Sequence, residues 1–187
     1  MRTFSVFVAD CWRITLKKHV LLAALACSMA APAALANNFS YNYLEFRTAI
    51  SPRFSGTEFS LMMLENVHFV ARADSQFDGD ADVAAGFGFN GPINQFADVF
   101  GQALVHNISY PDSDNRERET IPEFNIGVRM WLTDQVEATT RVGRLDESSV
   151  FHAGVRFHST SQLSLSAETR NYGIYGPQIT MSVRFQY

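Results

Sequence analysis

The sequence predicts an all-β fold: a closed, antiparallel, up-and-down transmembrane β-barrel of about ten strands, preceded by a signal peptide. Three observations lead to this fold class. After residue 36, apolar and polar residues alternate almost throughout, which is the period of strands with two unlike faces. The polar face has no Lys and mixes Arg, Glu and His with Gly, Ser, Thr and Tyr, as expected of a confined interior. Every second hairpin is short, as in outer-membrane barrels.

Composition restricts the class of protein further. The 187 residues are 47% hydrophobic, 13% aromatic and only 18% charged. This apolar content excludes a disordered chain. The mean hydropathy of −0.06 excludes a bundle of membrane-spanning helices, each of which needs about 20 consecutive apolar residues. The sequence pI of about 5.7 argues against a nucleic-acid binder.

Residues 1–36 have the pattern of a secretory signal peptide. A basic start is followed by an apolar run over 20–36, which ends in a small-residue cleavage pattern at Ala36. Two alternatives stay open: an uncleaved anchor, which Pro32 and the many alanines disfavour, and a lipoprotein signal at Cys27.

Cleavage near Ala36 changes the charge balance of the protein. Residues 37–187 hold 11 basic and 18 acidic residues, a net charge of −7, and every basic residue among them is Arg. Both cysteines lie upstream of this part, so it has no disulfide. An exported protein of this kind needs a large core or a membrane for its stability.

The first four predicted strands are the alternating runs 42–50, 56–63, 67–74 and 83–89, and Val70 is a local exception to the alternation in the third run. The glycines on the polar face of the fourth run are expected to make room inside the barrel or to ease its curvature.

The fifth run, about 95–107, is less regular. Its apolar residues fall on both faces, so its pairing stays open, as does a count of eight strands. Ala97, Val99, Ala103 and Val105 share one face, and the other carries Phe96, Phe100, Leu104, Asp98, Gln102 and His106.

The last five runs, 124–132, 136–142, 151–158, 163–170 and 178–187, alternate regularly. The hairpins between the ten runs are of two kinds. The short set is predicted at Leu64–Asn66, Asn90–Asn94, Thr133–Gln135 and Ser159–Ser161. The other set, mostly longer, is predicted at Ser51–Arg53, Gln76–Ala81, Ile108–Ile121, Asp146–Ser149 and Asn171–Gly176.

Closure of such a sheet points the charged side chains into a narrow lumen. Arg is suited to this position because its planar fork holds several acceptors at once, and an unpaired buried charge is costly. The predicted polar network of the lumen comprises Glu45, Arg47, Glu58, Arg72, Asp74, Arg129, Glu137, Arg141, Arg156, Glu168, Arg170 and Arg184. The apolar face then contacts lipid, and closure leaves no strand edge unsatisfied in hydrocarbon.

The last strand ends on a strict apolar series with a terminal aromatic residue. This series resembles the C-terminal motif by which the assembly machinery of Gram-negative bacteria recognises outer-membrane barrels. Its members are Ile179, Met181, Val183, Phe185 and Tyr187.

With these features the chain resembles the small outer-membrane β-barrel proteins of Gram-negative bacteria, the group of OmpA membrane domains, OmpX and opacity-like proteins. It is most similar to short proteobacterial barrels that begin with a strand like 41–45. Later matching segments are 65–72, 86–90, 125–129 and 154–157. The resemblance implies a bacterial outer-membrane location after cleavage near Ala36, and it supplies no catalytic residues.

Three patterns were weighed as catalytic or metal sites. His158 and Ser159 with Glu168 suggest a Ser-His-acid arrangement like that of lipid A deacylases. The resemblance would require a His-x-Ser-Asn-Ala segment, and the sequence at 158–161 does not have it. An omptin-like protease needs a His beside its Asp residues, and the Asp residues at 74–82 have no His near them in the sequence. The same segment suggests a calcium loop, but the terminal Glu of such a loop is missing. We therefore predict no catalytic, cofactor or metal residues, and a weak divalent-ion contact at 76–82 is an open alternative.

The expected function is that of a non-enzymatic outer-membrane barrel with a filled polar lumen and an envelope-structural or surface-interaction role. A narrow channel for ions or very small solutes is the alternative; a lipid A-modifying enzyme and a soluble periplasmic β-protein are less favoured. The expected partners are outer-membrane lipid and lipopolysaccharide, with the barrel-assembly machinery and periplasmic chaperones during biogenesis. We expect a monomer that binds no nucleic acid.

Overall fold

The computed structural model describes residues 39–50, 53–76, 80–110, 117–171 and 176–187. The predicted signal peptide lies outside these residues. The strands are β1 Tyr43–Ala49, β2 Phe54–Leu64, β3 Val67–Ser75, β4 Ala81–Asn94, β5 Ala97–Ser109, β6 Glu119–Thr133, β7 Val136–Leu145, β8 Ser148–His158, β9 Leu163–Asn171 and β10 Pro177–Gln186. Within the described residues no helix is long and apolar enough to span a bilayer.

The ten strands form one closed antiparallel barrel. Each strand pairs with the next in the chain, and β1 pairs with β10 to close the sheet. The predicted up-and-down barrel is therefore confirmed, with ten strands rather than eight. Strand β5 pairs along its whole length with β4 and β6, which answers the question left open by its irregular sequence.

The two faces of the barrel have opposite character, as the alternation predicts. Large apolar side chains point outward along every strand, and Phe46, Phe87, Phe124 and Ile179 are 57–63% exposed. Charged and amide side chains point inward and are buried. This is the arrangement of a membrane barrel, in which hydrocarbon solvates the apolar band and the polar residues alternate with it towards the lumen.

The two ends of the barrel differ in their connections. At the end where β1 begins and β10 ends, three hairpins have two-residue turns, and each turn is preceded by a register shift, at Met62/Leu64, Pro92/Asn94 or Trp131/Thr133. We call this the terminus end. The opposite end, the loop end, carries the connections 50–53, 76–80, 110–118, 146–147 and 172–176.

The structure corrects several predicted hairpin bounds. The fourth turn lies at 95–96 and not at Asn90–Asn94, because β4 continues to Asn94. Pro92 has no backbone N–H to donate to the ladder. It is tolerated in this strand because the register shift next to it already interrupts the regular pairing. The loop predicted over Ile108–Ile121 is shorter, since both flanking strands extend into it. The seventh hairpin is a two-residue turn at 146–147, although it belongs to the loop end.

The irregular fifth strand owes its pattern to the packing of the lumen. Phe100 and Leu104 point inward and are almost fully buried. Each lies opposite a glycine of a neighbouring strand, Gly127 for Phe100 and Gly86 for Leu104. A Cβ at Gly127 would lie 2.5 Å from the Phe100 ring, and one at Gly86 would lie 2.8 Å from the Cα of Leu104. Gly86 thus permits a close approach of the β5 backbone, whereas Gly88 makes room for a luminal side chain, since a Cβ there would lie 2.5 Å from His68 Cε1.

Candidate functional site in the barrel lumen

The structure places all twelve residues of the predicted polar network inside the barrel, each at most 9% exposed. The five residues of the predicted C-terminal motif lie on the outer face of β10 and just after it, and they are 44–63% exposed. Three groups of hydrogen-bonded charges can be distinguished in the lumen.

The first group is held by two arginines that each bridge two carboxylates. Arg47 Nη2 lies 2.7 and 2.8 Å from the two Asp74 oxygens, and its Nη1 donates to Glu58 Oε2 at 3.1 Å. Arg72 Nε donates to the same Glu58 oxygen at 2.7 Å, and its Nη1 donates to Glu123 Oε2 at 3.1 Å. Such multiple pairing uses the fixed fork of the guanidinium, which Lys could not reproduce.

His106 extends this group towards the loop end. Its Nδ1 lies 2.9 Å from Asp82 Oδ1, and its Nε2 lies 2.8 Å from Glu123 Oε2. Both ring nitrogens therefore contact a carboxylate oxygen, and His106 connects Asp82 to Glu123. We call the whole group the acidic cluster; it consists of Glu58, Asp74, Asp82 and Glu123 with Arg47, Arg72 and His106.

The second group, the arginine cluster, lies on β7–β10 and on β1. Glu45 Oε2 accepts hydrogen bonds from Arg156 Nη2 at 2.7 Å and from Arg184 Nε at 2.6 Å. Glu168 accepts from Arg156 at 3.3 Å and from Arg170 at 2.9 Å. The cluster also contains Arg141, whose Nη1 donates to Gln102 Oε1 at 3.1 Å, and His152, whose Nε2 lies 3.0 Å from Glu168 Oε2.

The third group lies near the terminus end and joins β6, β7 and β8. Arg129 binds Glu137 through two parallel hydrogen bonds, from Nε at 2.7 Å and from Nη2 at 3.0 Å. His158 Nε2 lies 3.0 Å from the second Glu137 oxygen. A two-point guanidinium–carboxylate pair of this kind fixes both side chains in position.

The residues just before β1 fold back into the barrel at the terminus end. Phe39 stacks on Trp131 with ring centroids 5.5 Å apart, and Tyr41 stacks on His68 at 4.7 Å. The guanidinium of Arg129 lies 4.9 Å from the Phe39 ring centroid and 5.0 Å from that of Tyr41. Phe39 and Tyr41 are buried together with Phe100, so this N-terminal segment fills the lumen where the strands begin.

Polar contacts hold the same segment. The Tyr41 hydroxyl donates to Asp98 Oδ2 at 3.3 Å, and Arg129 Nη1 donates to the Ser40 carbonyl at 3.2 Å. The backbone N–H of Met62 donates to Asn42 Oδ1 at 2.6 Å. Burial raises the pKa of the Tyr41 phenol above its ordinary value, so the hydroxyl keeps its proton and remains a donor.

Apolar residues of the strands themselves are buried on the luminal face at the loop end. Leu145 and Val150 form a buried cluster against which Ile121 packs. Phe54 and Ile108 are also buried on the luminal face at this end. We call these five residues the apolar layer. Since they belong to β2, β5, β6, β7 and β8, the layer is built into the sheet.

Little empty space remains between these layers. The cavity at the centre of the lumen has a volume of about 40 Å³. A water molecule needs about 10–15 Å³ on this measure, so the cavity has room for about three waters. A larger cavity of about 380 Å³ adjoins the N-terminal segment at the terminus end, and its lining includes Phe39, Trp131 and His158.

The structure does not assemble the Ser-His-acid arrangement weighed from the sequence. His158 contacts Glu137, whereas Glu168 belongs to the arginine cluster. Of the acidic segment 76–82, residues 77–79 lie outside the described residues, Asp80 accepts a hydrogen bond from the Gln76 backbone, and Asp82 pairs with His106. Among the described residues no group of three or more His, Cys, Asp or Glu is arranged to hold a metal ion.

The predicted polar network omitted three luminal carboxylates. Asp98 was placed on the polar face but not in the network, whereas Asp82 and Glu123 of the acidic cluster were missed. Both missed residues directly precede the runs from which the strands were read. They are two residues upstream of luminal Ala84 and Asn125, so the alternation would have found them if it had been extended.

No protein-family model and no curated protein matches the sequence. Among solved structures, the KdgM porin, solved alone and in complex with disordered oligogalacturonate, matches with a TM-score of 0.51 and 4% identity over 78% of this chain and 99% of that chain. The Acinetobacter baumannii outer membrane protein Omp33 matches with a TM-score of 0.43 and 6% identity over 79% of this chain and 98% of that chain. The likeness to KdgM shows that this chain has the fold of an outer-membrane β-barrel. Membership of the OmpA, OmpX and opacity-like group stays a prediction.

Proposed function

We propose that this protein is a non-enzymatic barrel of the bacterial outer membrane whose lumen is closed, and that it acts in envelope structure or in surface contacts through its loop end. The observation that supports this function best is the filling of the lumen at three levels. The apolar layer lies in the lumen at the loop end, charge clusters fill the middle, and the N-terminal segment fills the terminus end. Only about 40 Å³ is left at the centre, too little for a solute path.

The proposed orientation puts the terminus end in the periplasm, because short turns lie on that side in outer-membrane barrels. The outward apolar band would then contact lipid, with lipopolysaccharide as the partner of the outer leaflet. A signal peptide removed near Ala36 and the apolar series of β10 would serve export and recognition by the barrel-assembly machinery. The barrel has no unpaired sheet edge, so a monomer is sufficient.

Two measurements test this proposal. Purified protein reconstituted into planar bilayers should give conductance at the leak level, and stepwise openings in the wild-type protein would contradict a closed lumen. Envelope fractionation should recover the protein with the outer membrane, in a form that detergent extracts and salt alone does not. Recovery in the salt extract would instead indicate a soluble periplasmic protein.

One observation favours a second candidate function, a narrow channel for ions or very small solutes. The terminus end is filled by four residues that lie outside every strand, Phe39 to Asn42. The segment is held by stacking, by side-chain hydrogen bonds and by one backbone hydrogen bond, from the Tyr187 N–H to the Asn42 carbonyl at 3.3 Å. Residues 39–41 can therefore withdraw without breaking the barrel ladder. The channel would then be closed in this conformation and opened by displacement of the segment.

A single engineered cysteine tests the second candidate, because residues 37–187 contain no native one. In Ser40→Cys, a charged methanethiosulfonate reagent added from the terminus side should react, push the segment out and produce openings. Reaction without openings would reject this route to a channel. Asp134→Cys, in the exposed turn of the β6–β7 hairpin, is the matched control that should react without effect. A lipid A-modifying activity has no assembled residues to support it and is tested by mass spectra of lipid A after overexpression.

A further inference from the structure

The outer face of the ten described strands carries a single charge. Arg144 on β7 is exposed and points outward, whereas the other charged residues of β1–β10 alternate towards the lumen. A cation on the lipid-facing side of a barrel is costly at the middle of the bilayer, and the cost falls towards the interface. The position of Arg144 along its strand therefore decides what it contacts.

Arg144 lies at the boundary of the apolar band on the side of the loop end. It is the last outward-facing residue of β7, which ends at Leu145. It pairs with Phe124 on β6 and with Ser149 on β8, and the next outward residue of β7 is the exposed Val142. The outer face thus changes from apolar to polar at this point. A guanidinium at such a boundary lies level with lipid headgroups, and apolar side chains contact the hydrocarbon beside it.

The guanidinium of Arg144 has no carboxylate partner among the residues that the structure describes. Its described contact is one hydrogen bond, from Nη2 to the Glu147 carbonyl oxygen at 3.3 Å. The luminal Arg47 and Arg156, in contrast, are buried and each bridges two carboxylates. Because a guanidinium has five N–H donors, most donors of Arg144 are available to an acceptor outside the protein.

We propose that Arg144 binds a phosphate group of a phosphorylated glycolipid of the outer leaflet, the lipid A part of lipopolysaccharide. The planar fork of Arg matches a phosphate with two parallel hydrogen bonds. Phe124, Val142 and Phe151 are exposed beside it, and acyl chains of the same lipid pack against them. This inference rests on the proposed function, because the loop end meets the outer leaflet only in the proposed orientation.

Native mass spectrometry of the whole mature protein tests the contact directly. The protein is held in a phosphate-free detergent with EDTA, so that divalent cations do not bridge carboxylates to phosphate, and lipid A is titrated in. Arg144→Gln should weaken lipid A binding by about tenfold, as expected for the loss of a charge-assisted contact to phosphate. Arg144→Lys keeps the charge without the fork and should lose less.

The matched control is Arg53→Gln. Arg53 is an exposed arginine in the β1–β2 connection at the same end, and β2 and β7 lie on opposite sides of the ten-strand barrel. This variant changes the net charge as Arg144→Gln does, so it should bind lipid A like the wild-type protein. Equal losses in the two variants would show a general charge effect and would overturn the proposal.

The chemistry of the ligand is tested with lipid A from which the phosphates have been removed. The wild-type protein should bind this lipid about as weakly as Arg144→Gln binds intact lipid A, and the variant should not distinguish the two lipids. Inorganic phosphate should not displace lipid A, because it lacks acyl chains. Equal binding of both lipids by the wild-type protein, or displacement by inorganic phosphate, would overturn the assignment of a phosphorylated lipid.

The orientation is tested separately, with Glu147→Cys in the exposed turn that follows β7. Residues 37–187 have no native cysteine, so a membrane-impermeant maleimide should label this variant alone on intact cells. Labelling only after lysis would place the loop end in the periplasm and overturn the outer-leaflet site. Labelling on intact cells, combined with lipid A binding that does not depend on Arg144, would overturn this inference and leave the proposed function standing.

Discussion

The two ends of the lumen are filled by different parts of the chain. At the loop end the apolar layer consists of side chains from paired strands, so it can open only if the sheet deforms. At the terminus end the closure is a short segment before β1, held by two ring stacks and a few hydrogen bonds. One lumen can therefore combine a filling that is built into the sheet with one that is removable. Substitutions at the two ends should consequently separate stability from conductance.

The largest effect on stability is expected just beneath the apolar layer, at Glu123. This carboxylate is fully buried and is shared by Arg72 and His106. Glu123→Ala leaves both cations without it and should cost about 3–5 kcal/mol of unfolding free energy. Denaturant titration in detergent measures the loss. Glu119→Ala, at the exposed start of the same strand, is the control and should change little.

The next largest effect is expected in the apolar layer itself. Leu145→Ala opens a cavity among side chains that the sheet holds in place, at a cost of about 2–5 kcal/mol. Conductance should remain at the leak level, because the terminus end is still filled. Openings in this variant would show that the apolar layer, and not the N-terminal segment, closes the barrel.

The terminus end should respond in the opposite way. Tyr41→Ala removes the ring that stacks on His68 and the hydroxyl that binds Asp98. It should yield stepwise openings in planar bilayers, with a stability loss smaller than that of Leu145→Ala because no strand residue is altered. Tyr41→Phe keeps the ring, so it should stay closed and lose only about 1 kcal/mol for the hydrogen bond. If both variants conduct alike, the stacking argument is wrong.

The smallest effect is expected at the tight turn of the loop end. Asp146 has a φ of 51°, in the left-handed region that glycine adopts without strain. Asp146→Gly should therefore leave the unfolding free energy unchanged or raise it by up to about 1 kcal/mol. Thermal unfolding measured beside the wild-type protein checks this; a clear loss of stability would indicate that the Asp side chain has a contact of its own to keep.

Much of the barrel was predictable because one rule governs it. In a closed sheet between lipid and a lumen, every second residue must be apolar, so the alternation predicts both the strands and the direction of Arg47, Glu58 or Arg156. The rule weakens where the lumen itself is apolar. Phe100 and Leu104 obscured the fifth strand because they face the N-terminal segment and two glycines rather than charged partners.

The chain alone thus determined the architecture, the inward set of charges and the outward apolar band, since these follow from local periodicity. Tertiary structure decided which charges pair. The two partners of Glu45, for example, lie 111 and 139 residues away in the chain, and register around the closed barrel brings them together. It also decided that residues before the first strand turn into the lumen, and that positive charge exceeds negative charge beside the central cavity. Neither property can be predicted from the alternation of residues along the chain. Both depend on how far side chains from opposite walls of the barrel reach into the lumen.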